Sequence, residues 1–316
     1  MRALVTGGAG FIGSHLVDAL VEAGHDVRVL DDLSNGLAEN VAGDAQLTVG
    51  DVADPEVVGS TMDGVDVVFH EAALGSVKRS LEAPMATNRA NVDGTLVVLD
   101  AARHAGVRRV VAASSSSVYG GVAPLPSTED FPPVPRSPYA ITKVALEHYC
   151  RVYSELLGLE TVCLRYFNVF GPRQRDDSEY AAAIPIFTAA LLAGERPLVY
   201  GDGLQSRDFT YVGDVVRANL LAVDAPADRC VGRVYNVAGG HRHTVLDLLA
   251  MLGRILGVEA EPRHADERPG DVRHSEADLA AIARDIGFTP KVDLETGLRE
   301  MLAWRQSTNT TMIAER

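Results

Sequence analysis

Residues 6–15 read Thr6-Gly7-Gly8-Ala9-Gly10-Phe11-Ile12-Gly13-Ser14-His15 and follow directly on the first short apolar run of the chain. Glycines at this spacing permit a tight turn, a close backbone approach to a pyrophosphate and tight packing of the following helix, whose positive N-terminal end then faces the anion. Asp31 lies 18 residues after Gly13, at the end of the next predicted strand. Its carboxylate can accept both hydroxyls of an adenosine ribose and would repel a 2′-phosphate. The stretch therefore predicts a dinucleotide site that prefers NAD to NADP.

The first half of the chain alternates short apolar runs with longer stretches of helical periodicity. This alternation predicts an α/β fold, a doubly wound parallel sheet of the Rossmann type. The predicted strands are 3–5, 27–30, 46–49, 65–69, 107–112 and 161–164, and the predicted helices between them are 13–23, 55–62, 91–105 and 139–157.

After residue 165 the alternation breaks, and the elements become shorter and mixed. The pattern predicts helices over 184–192, 213–222, 245–256 and 294–304, a hairpin over 199–203 and a strand over 234–237. We therefore expect a Rossmann domain over 1–165, to which segments near 208–240 return, and a smaller interleaved α/β substrate domain over 166–316. The polar end of the chain, 305–316, is expected to be loose and without function.

The composition excludes several classes of protein. With 29 Lys+Arg against 43 Asp+Glu, the 316 residues carry a net charge of −14, so neither nucleic acid nor an anionic membrane is an expected partner. The three cysteines, Cys150, Cys163 and Cys230, form no CxxC pair and lie in apolar segments. They are expected to be packed thiols in a reducing compartment, with no structural metal. The first residues form too short an apolar run for a signal or a span, so a cytoplasmic protein is expected.

Two further segments carry groups that can move a proton. Tyr139 and Lys143 are one helical turn apart, which places a phenol and an ammonium on the same helix face. A nearby cation favours the phenolate, so the pair can make a base near neutral pH. The serines of 114–117 follow the apolar run 107–112, at the strand end where open α/β sheets bind ligands. A hydroxyl there can share the proton that Tyr139 moves, although a plain serine-rich turn has the same composition.

Taken together, these segments resemble the extended short-chain dehydrogenase/reductases, specifically the UDP-glucose/UDP-N-acetylglucosamine 4-epimerases and the related nucleotide-sugar dehydratases. The resemblance covers nearly the whole chain. It is carried by TGGAGFIGSH at 6–15, Asp31, Asp51-Val52, Ala72-Ala73, SSSSVYG at 114–120, SPYAITK at 137–143, LRYFNVFGPRQ at 164–174, GDGLQSRDFTYVGD at 201–214 and RPGDVRHS at 268–275.

The resemblance implies a role for each matching residue. Tyr139 would be the acid and base, Lys143 its tuner and a ligand of the nicotinamide ribose, and Ser115 a bridge between the sugar 4-hydroxyl and the phenol. The implied NAD contacts are Gly7, Gly10, Phe11, Ile12, Gly13, Asp31, Asp32, Asn35, Gly36, Asp51, Val52, Ala72, Ala73, Tyr139, Lys143 and Tyr166. The implied contacts of a UDP-sugar are Ser76, Ser115, Ser116, Tyr139, Asn168, Arg175, Tyr200, Arg207, Arg268, Asp271 and Ser275.

Residues that differ between members of the family indicate which reaction and which sugar to expect. Dehydratases carry Asp-Glu where this chain has Ser116-Ser117, and sugar-acid decarboxylases carry Glu at the position of Ser117. Ser275, seven residues after Arg268, is small, as in members that accept N-acetylhexosamines. We expect NAD-dependent 4-epimerisation of UDP-glucose and UDP-galactose, and of their N-acetylamino forms, through a transient 4-keto sugar.

Two alternatives remain open at this stage. Arg175 and the serines of 114–117 also resemble UDP-glucuronate 4-epimerases, in which such an arginine can clamp a C6 carboxylate. A non-catalytic NAD-binding sensor is the alternative from another class. We also expect a homodimer through the helices near 91–105 and 139–157.

Overall fold

The computed structural model describes residues 1–175, 183–267 and 272–314. Its strands are β1 Arg2–Thr6, β2 Asp26–Asp31, β3 Gln46–Val49, β4 Val67–His70, β5 Arg109–Ser115, β6 Glu160–Tyr166, β7 Val169–Phe170, β8 Leu198–Tyr200, β9 Ser206–Asp208, β10 Thr210–Tyr211, β11 Arg233–Val237, β12 Arg242–Thr244 and β13 Arg263–Ala265. Its helices are α1 Phe11–Glu22, α2 Pro55–Thr61, α3 Val77–Glu82, α4 Pro84–Asn88, α5 Gly94–His104, α6 Pro138–Leu156, α7 Ala183–Leu192, α8 Val212–Asp224, α9 Ala227–Cys230, α10 Val245–Leu256, α11 Ala280–Ile286 and α12 Leu294–Ala314.

A seven-stranded sheet in the order β11-β6-β5-β4-β1-β2-β3 forms the centre of the described chain, and all of its neighbouring strands are parallel. Successive strand residues point to opposite faces, and both faces are covered. One apolar core lies between the sheet and α1, α8 and α11, and the other lies between the sheet and α2, α5 and α6. This two-sided burial explains why the strands read as nearly continuous apolar runs, and it confirms the predicted doubly wound fold.

A third core lies outside the sheet. It joins α7, α10 and α12 around Phe170 and Phe209, and the short strand pairs β8–β13 and β9–β12 lie in the same half of the chain. β11 enters the central sheet beside β6, and α8 contributes Val215 and Ala218 to the core on the α1 face. The chain therefore leaves the central sheet after β6 and returns to it with α8 and β11.

Several elements differ from those predicted. Residues 199–203 do not form a hairpin, because β8 pairs in parallel with the distant β13. α3 and α4 were not predicted, and α4 continues into α5 through a π-helical segment over 89–93. The last helix runs to Ala314, so most of the end expected to be loose is helical.

The three cysteines are buried and free, as predicted. In the described ranges, no helix combines the length and apolar character needed to cross a bilayer.

Strand order places the site. The chain proceeds from β1 outward to β3 on one side, and β4 then starts the other half on the opposite side of β1. The loops after β1 and β4 therefore leave the sheet in opposite directions and open a crevice between them. Open α/β sheets bind ligands at this switch point.

Candidate active site

The turn after β1 is built for close backbone contact. Gly7 has a φ of +71°, and a Cβ added to Gly13 would lie 2.2 Å from the Gly7 carbonyl oxygen. Asp31, at the end of β2, anchors the same turn: its carboxylate accepts hydrogen bonds from the Ala9 amide at 3.0 Å and the Leu33 amide at 2.8 Å. Burial raises the pKa of Asp31. The turn thus combines a helix N-terminus without side chains in the way with a carboxylate held beside it, and this combination suits the pyrophosphate and ribose of NAD.

A cavity of about 680 Å³ opens from this turn along the carboxyl edge of the sheet. All sixteen of the predicted cofactor contacts line it: Gly7, Gly10, Phe11, Ile12, Gly13, Asp31, Asp32, Asn35, Gly36, Asp51, Val52, Ala72, Ala73, Tyr139, Lys143 and Tyr166. Of the predicted substrate contacts, Ser76, Ser115, Asn168 and Arg175 line it as well. The cavity therefore joins the nucleotide turn to the residues predicted to do chemistry.

We expect the charge of Asp31 to control the choice between NAD and NADP. In an Asp31→Asn variant, the ratio of the dissociation constant for NADP to that for NAD should be at least about tenfold lower than in the parent. The reason is that the negative charge that repels a 2′-phosphate is gone. Dissociation constants for both dinucleotides, measured by calorimetry on cofactor-free protein, test this. Asp44→Asn, in an exposed loop, is the control. An unchanged preference for NAD in the Asp31 variant would contradict the assignment.

Three predicted catalytic residues meet at the other end of the cavity. Tyr139 lies in the first turn of α6, which Ser137 caps by accepting the Ala140 amide at 3.1 Å. The buried Lys143 donates from Nζ to the Ala113 carbonyl oxygen at 2.7 Å, and Nζ lies 5.9 Å from the centre of the Tyr139 ring. Ser115, the last residue of β5, lines the same cavity, and its interaction with Tyr139 lowers the pKa of the phenol. A strand end and a helix start thus place the hydroxyl, the phenol and the ammonium together.

The electrostatics of this end differ from the sequence expectation. Burial raises the pKa of Tyr139, and the hydrogen bond with Ser115 offsets this only in part. Burial also lowers the pKa of Lys143 to about 8. In the protein alone the Lys143 ammonium is bonded to Ala113, and burial raises the pKa of the phenol. The role of Lys143 as the tuner of Tyr139 therefore stays a prediction, and a further positive charge, such as the oxidised nicotinamide, would favour the phenolate.

Two residues of the site were missed by the sequence analysis. Asn91, in the π-helical segment before α5, accepts the Leu74 amide at 2.8 Å and donates to the Thr142 hydroxyl at 3.0 Å, so it ties the cavity loop after β4 to α6. A π segment of this kind often marks a functional site. Glu71 lines the cavity and accepts a hydrogen bond from Tyr166 at 2.7 Å. It lies beside the alanines of the recognised motif, and nothing in its local pattern distinguishes it.

The remaining predicted substrate contacts form a separate group. Asn168, which has a φ of +32°, donates to the Asp208 carbonyl at 3.0 Å and the Ser275 hydroxyl at 3.3 Å. Arg207 lies in β9, next to the Ser206 carbonyl that accepts the Ser275 amide at 3.0 Å. Tyr200 is joined to the same region through Gln205. Tyr200, Arg207, Ser275 and Ser116 lie outside the cavity walls formed by described residues. Arg268 and Asp271 fall outside the described residues.

The comparisons with known proteins agree with this geometry. The model of the NAD dependent epimerase/dehydratase family matches residues 3–238. A UDP-glucose 4-epimerase from Mycolicibacterium smegmatis is 41% identical over 305 residues, 94% of this chain and 96% of that protein.

Solved structures give the same result. The UDP-N-acetylglucosamine 4-epimerase from Methanobrevibacter ruminantium, in complex with UDP-N-acetylmuramic acid, superposes with a TM-score of 0.91 at 40% identity, covering 97% of this chain and 98% of its own. The UDP-glucose 4-epimerase from Thermotoga maritima with UDP-glucose gives 0.93 at 38% identity, covering 98% and 100%.

The chain belongs to the NAD dependent epimerase/dehydratase family. The predicted resemblance, the Rossmann-type fold, the NAD cofactor and the assignment as an NAD-dependent enzyme of this family are confirmed. Proteins named as a decarboxylase, a 4,6-dehydratase and a UDP-glucuronic acid 4-epimerase also match this chain. Family membership therefore establishes chemistry on a nucleotide sugar and leaves the sugar and the reaction to the details of the site.

Proposed function

We propose that this protein is a UDP-hexose 4-epimerase that interconverts UDP-glucose with UDP-galactose and also accepts their N-acetylamino forms. The observation that carries the proposal is the meeting of Ser115, Tyr139 and Lys143 at one end of the cavity whose other end is the NAD turn. A proton acceptor and a site for the cofactor thus face the same cavity.

The three residues have separate tasks in this reaction. NAD, when bound, supplies reversible oxidation at the sugar C4. Tyr139 takes the proton of the 4-hydroxyl and gives it back to the 4-keto sugar after the sugar has turned over. Ser115 holds the same hydroxyl and shares its proton, since it lines the cavity together with Tyr139. Lys143, fixed to the Ala113 carbonyl, keeps a positive charge beneath the phenol. Each half of the reaction reverses the other, so the net change is inversion at C4 alone.

Dehydration is disfavoured because it needs an additional acid and base across C5 and C6. After Ser115 the chain continues with Ser116 and Ser117 in a short 3₁₀ turn, and neither side chain is a carboxylate. The sugar is then released with its oxygen atoms intact. This feature supports an epimerase over a 4,6-dehydratase or a decarboxylase.

Ser275 supports acceptance of an N-acetyl group. It is a small residue beside Asn168, which lines the cavity. The relative from Methanobrevibacter ruminantium, which is 40% identical, is named as a UDP-N-acetylglucosamine 4-epimerase. We further propose that Asn168, Arg207, Arg268 and Asp271 hold the UDP part, because guanidinium groups match the oxygens of a diphosphate.

UDP-glucuronate is the second candidate substrate, and Arg175 is the reason. It lines the cavity, and a guanidinium there can clamp a C6 carboxylate. However, Arg175 donates to the Asn35 carbonyl oxygen at 3.4 Å, and Arg79 donates to the Asn35 side chain at 3.2 Å. Both guanidinium groups are thus directed to the loop that carries the cofactor contacts, which favours a neutral hexose.

An NMR assay of the C4 epimers decides among these activities. We expect turnover of UDP-galactose and UDP-N-acetylgalactosamine, with UDP-glucuronate at least about tenfold slower. Turnover of UDP-glucuronate alone would overturn the hexose assignment. Absence of turnover on all three substrates by NAD-loaded protein would favour a sensor.

We also propose a cytoplasmic homodimer formed through α5 and α6. Exposed apolar side chains follow α6 at helical spacing: Ile141 is 57% exposed, Val152 41% and Leu156 76%. A symmetric partner would cover them. Light scattering should give twice the chain mass, and Val152→Asp should shift the equilibrium to monomer. A monomeric parent protein at micromolar concentration would contradict the dimer.

A further inference from the structure

Glu71 is a carboxyl group in the cavity that the proposed mechanism does not use. It follows β4 directly, and its side chain is half-buried. Tyr166 donates to it at 2.7 Å, and Asn219 of α8 donates to the Tyr166 hydroxyl at 2.8 Å. Both partners are buried. A chain of hydrogen bonds that starts in the helix layer therefore fixes this carboxylate at the cavity wall.

The negative charge of Glu71 is only partly compensated by the protein. Burial raises its pKa to about 7, although the hydrogen bond from Tyr166 and the charge of Lys143 both lower it. The Lys143 ammonium donates its hydrogen bond to the Ala113 carbonyl oxygen rather than to Glu71. A carboxyl group in this condition gains from any additional positive charge that enters the cavity.

Glu71 also lies at the chemical end of the cavity. His70 lies opposite Ala112 in the β4–β5 pair, one residue before Glu71 and Ala113, and the Ala113 carbonyl oxygen holds Lys143. The charge of Glu71 also raises the pKa of Tyr139 and Lys143. The adenosine end is marked by Asp31 and the glycine turn. Hydride exchange with a sugar carbon held at Tyr139 requires the nicotinamide at this end as well. A nicotinamide bound at this end would therefore lie beside Glu71, which lines the same cavity.

We propose that Glu71 sets the redox balance of the bound cofactor: its carboxylate attracts the oxidised nicotinamide, which is positively charged, and gains nothing from the reduced ring, which is neutral. An epimerase must return the hydride to its own intermediate in every turnover. A fixed carboxylate at the ring favours that return because it stabilises the oxidised cofactor. It also makes the inactive form, which holds reduced cofactor after loss of the keto sugar, less stable. The inference rests on the proposed site for NAD, and it requires no particular sugar.

A redox titration of Glu71→Gln without sugar tests the proposal. Dithionite with a dye mediator delivers two electrons, water supplies one proton, and the oxidised ring becomes the neutral dihydro form, which is read by its absorbance. At a fixed potential we expect the ratio of oxidised to reduced bound cofactor to fall about tenfold in the variant, equal to about 30 mV for a two-electron couple. Glu155→Gln, exposed on α6, should match the parent.

A second variant separates this role from a structural one. Tyr166→Phe removes the hydrogen bond and keeps the carboxylate, so the ratio should change much less than in Glu71→Gln. If Glu71 only anchors Tyr166 and α8, both variants should lower the melting temperature alike and leave the ratio unchanged, and that result overturns the proposal.

The remaining outcomes are also decisive. If Glu71→Gln is purified without cofactor, dissociation constants replace the titration: that for NAD should rise about tenfold, while that for NADH stays within about twofold. Equal weakening of both forms contradicts the proposal. Parent protein that binds neither form would instead reject the proposed NAD site itself.

Discussion

Tyr139→Phe should lower kcat for the epimerase reaction by about three orders of magnitude and leave the bound NAD content unchanged. The substitution removes the oxygen that we propose takes the 4-hydroxyl proton, while the ring still fills its place at the start of α6. Ser115 cannot replace it, because a serine hydroxyl is a far weaker acid than a phenol. Steady-state kinetics with UDP-galactose and the absorbance of extracted cofactor provide the two measurements.

The matched control is Tyr149→Phe, because Tyr149 lies on the same helix and packs against the α5 side of the sheet. It should retain parental kcat. Near-normal activity of the Tyr139 variant would remove Tyr139 from the role of base. Loss of NAD together with activity would show that the phenol holds the cofactor rather than the proton.

The nucleotide turn was predictable from sequence because its requirements are local. A glycine whose Cβ would meet a backbone oxygen at 2.2 Å, as at Gly13, is needed for the shape of one turn and is visible in ten residues. Asp31 is likewise tied to that turn by amides of its own loop and of Ala9. Tyr139 and Lys143 are one helical turn apart, so their proximity also follows from local geometry.

Features that depend on distant partners were not predictable. β6 is longer than expected because it contains Arg165, which local hydropathy assigns to the surface, and β5 continues past its predicted end at residue 112 to Ser115. Distant partners also bury an arginine in β5. Arg109 is 1% exposed and donates to the carbonyl oxygens of Ala222, Val223 and Ala225, more than a hundred residues away. The pairing of β8 with β13 and the contact between Glu71 and Tyr166 also join residues that are far apart in sequence, by 65 and 95 positions.

Removal of Arg165 should reduce the free energy of unfolding by about 3–5 kcal/mol. Arg165 donates from Nε and Nη2 to the two carboxylate oxygens of Glu147, both at 2.8 Å, and from Nη1 to Tyr119 at 2.8 Å. The two charged side chains are only 4% and 6% exposed. Arg165→Ala leaves the carboxylate of Glu147 buried beside the Ser114 hydroxyl with no cation to balance it.

The double variant Glu147→Leu/Arg165→Met identifies the cause of that loss. If an unbalanced buried charge is responsible, the double variant should unfold within about 1–2 kcal/mol of the parent, because both desolvation penalties are then absent. Equal instability of the single and double variants in urea titrations would instead attribute the loss to packing and to the hydrogen bonds that Tyr119 and Ser114 lose. Ser114 precedes Ser115 at the end of β5, and both residues line the cavity. A stable double variant with lowered kcat would therefore show that the ion pair holds the end of β5 in place for catalysis.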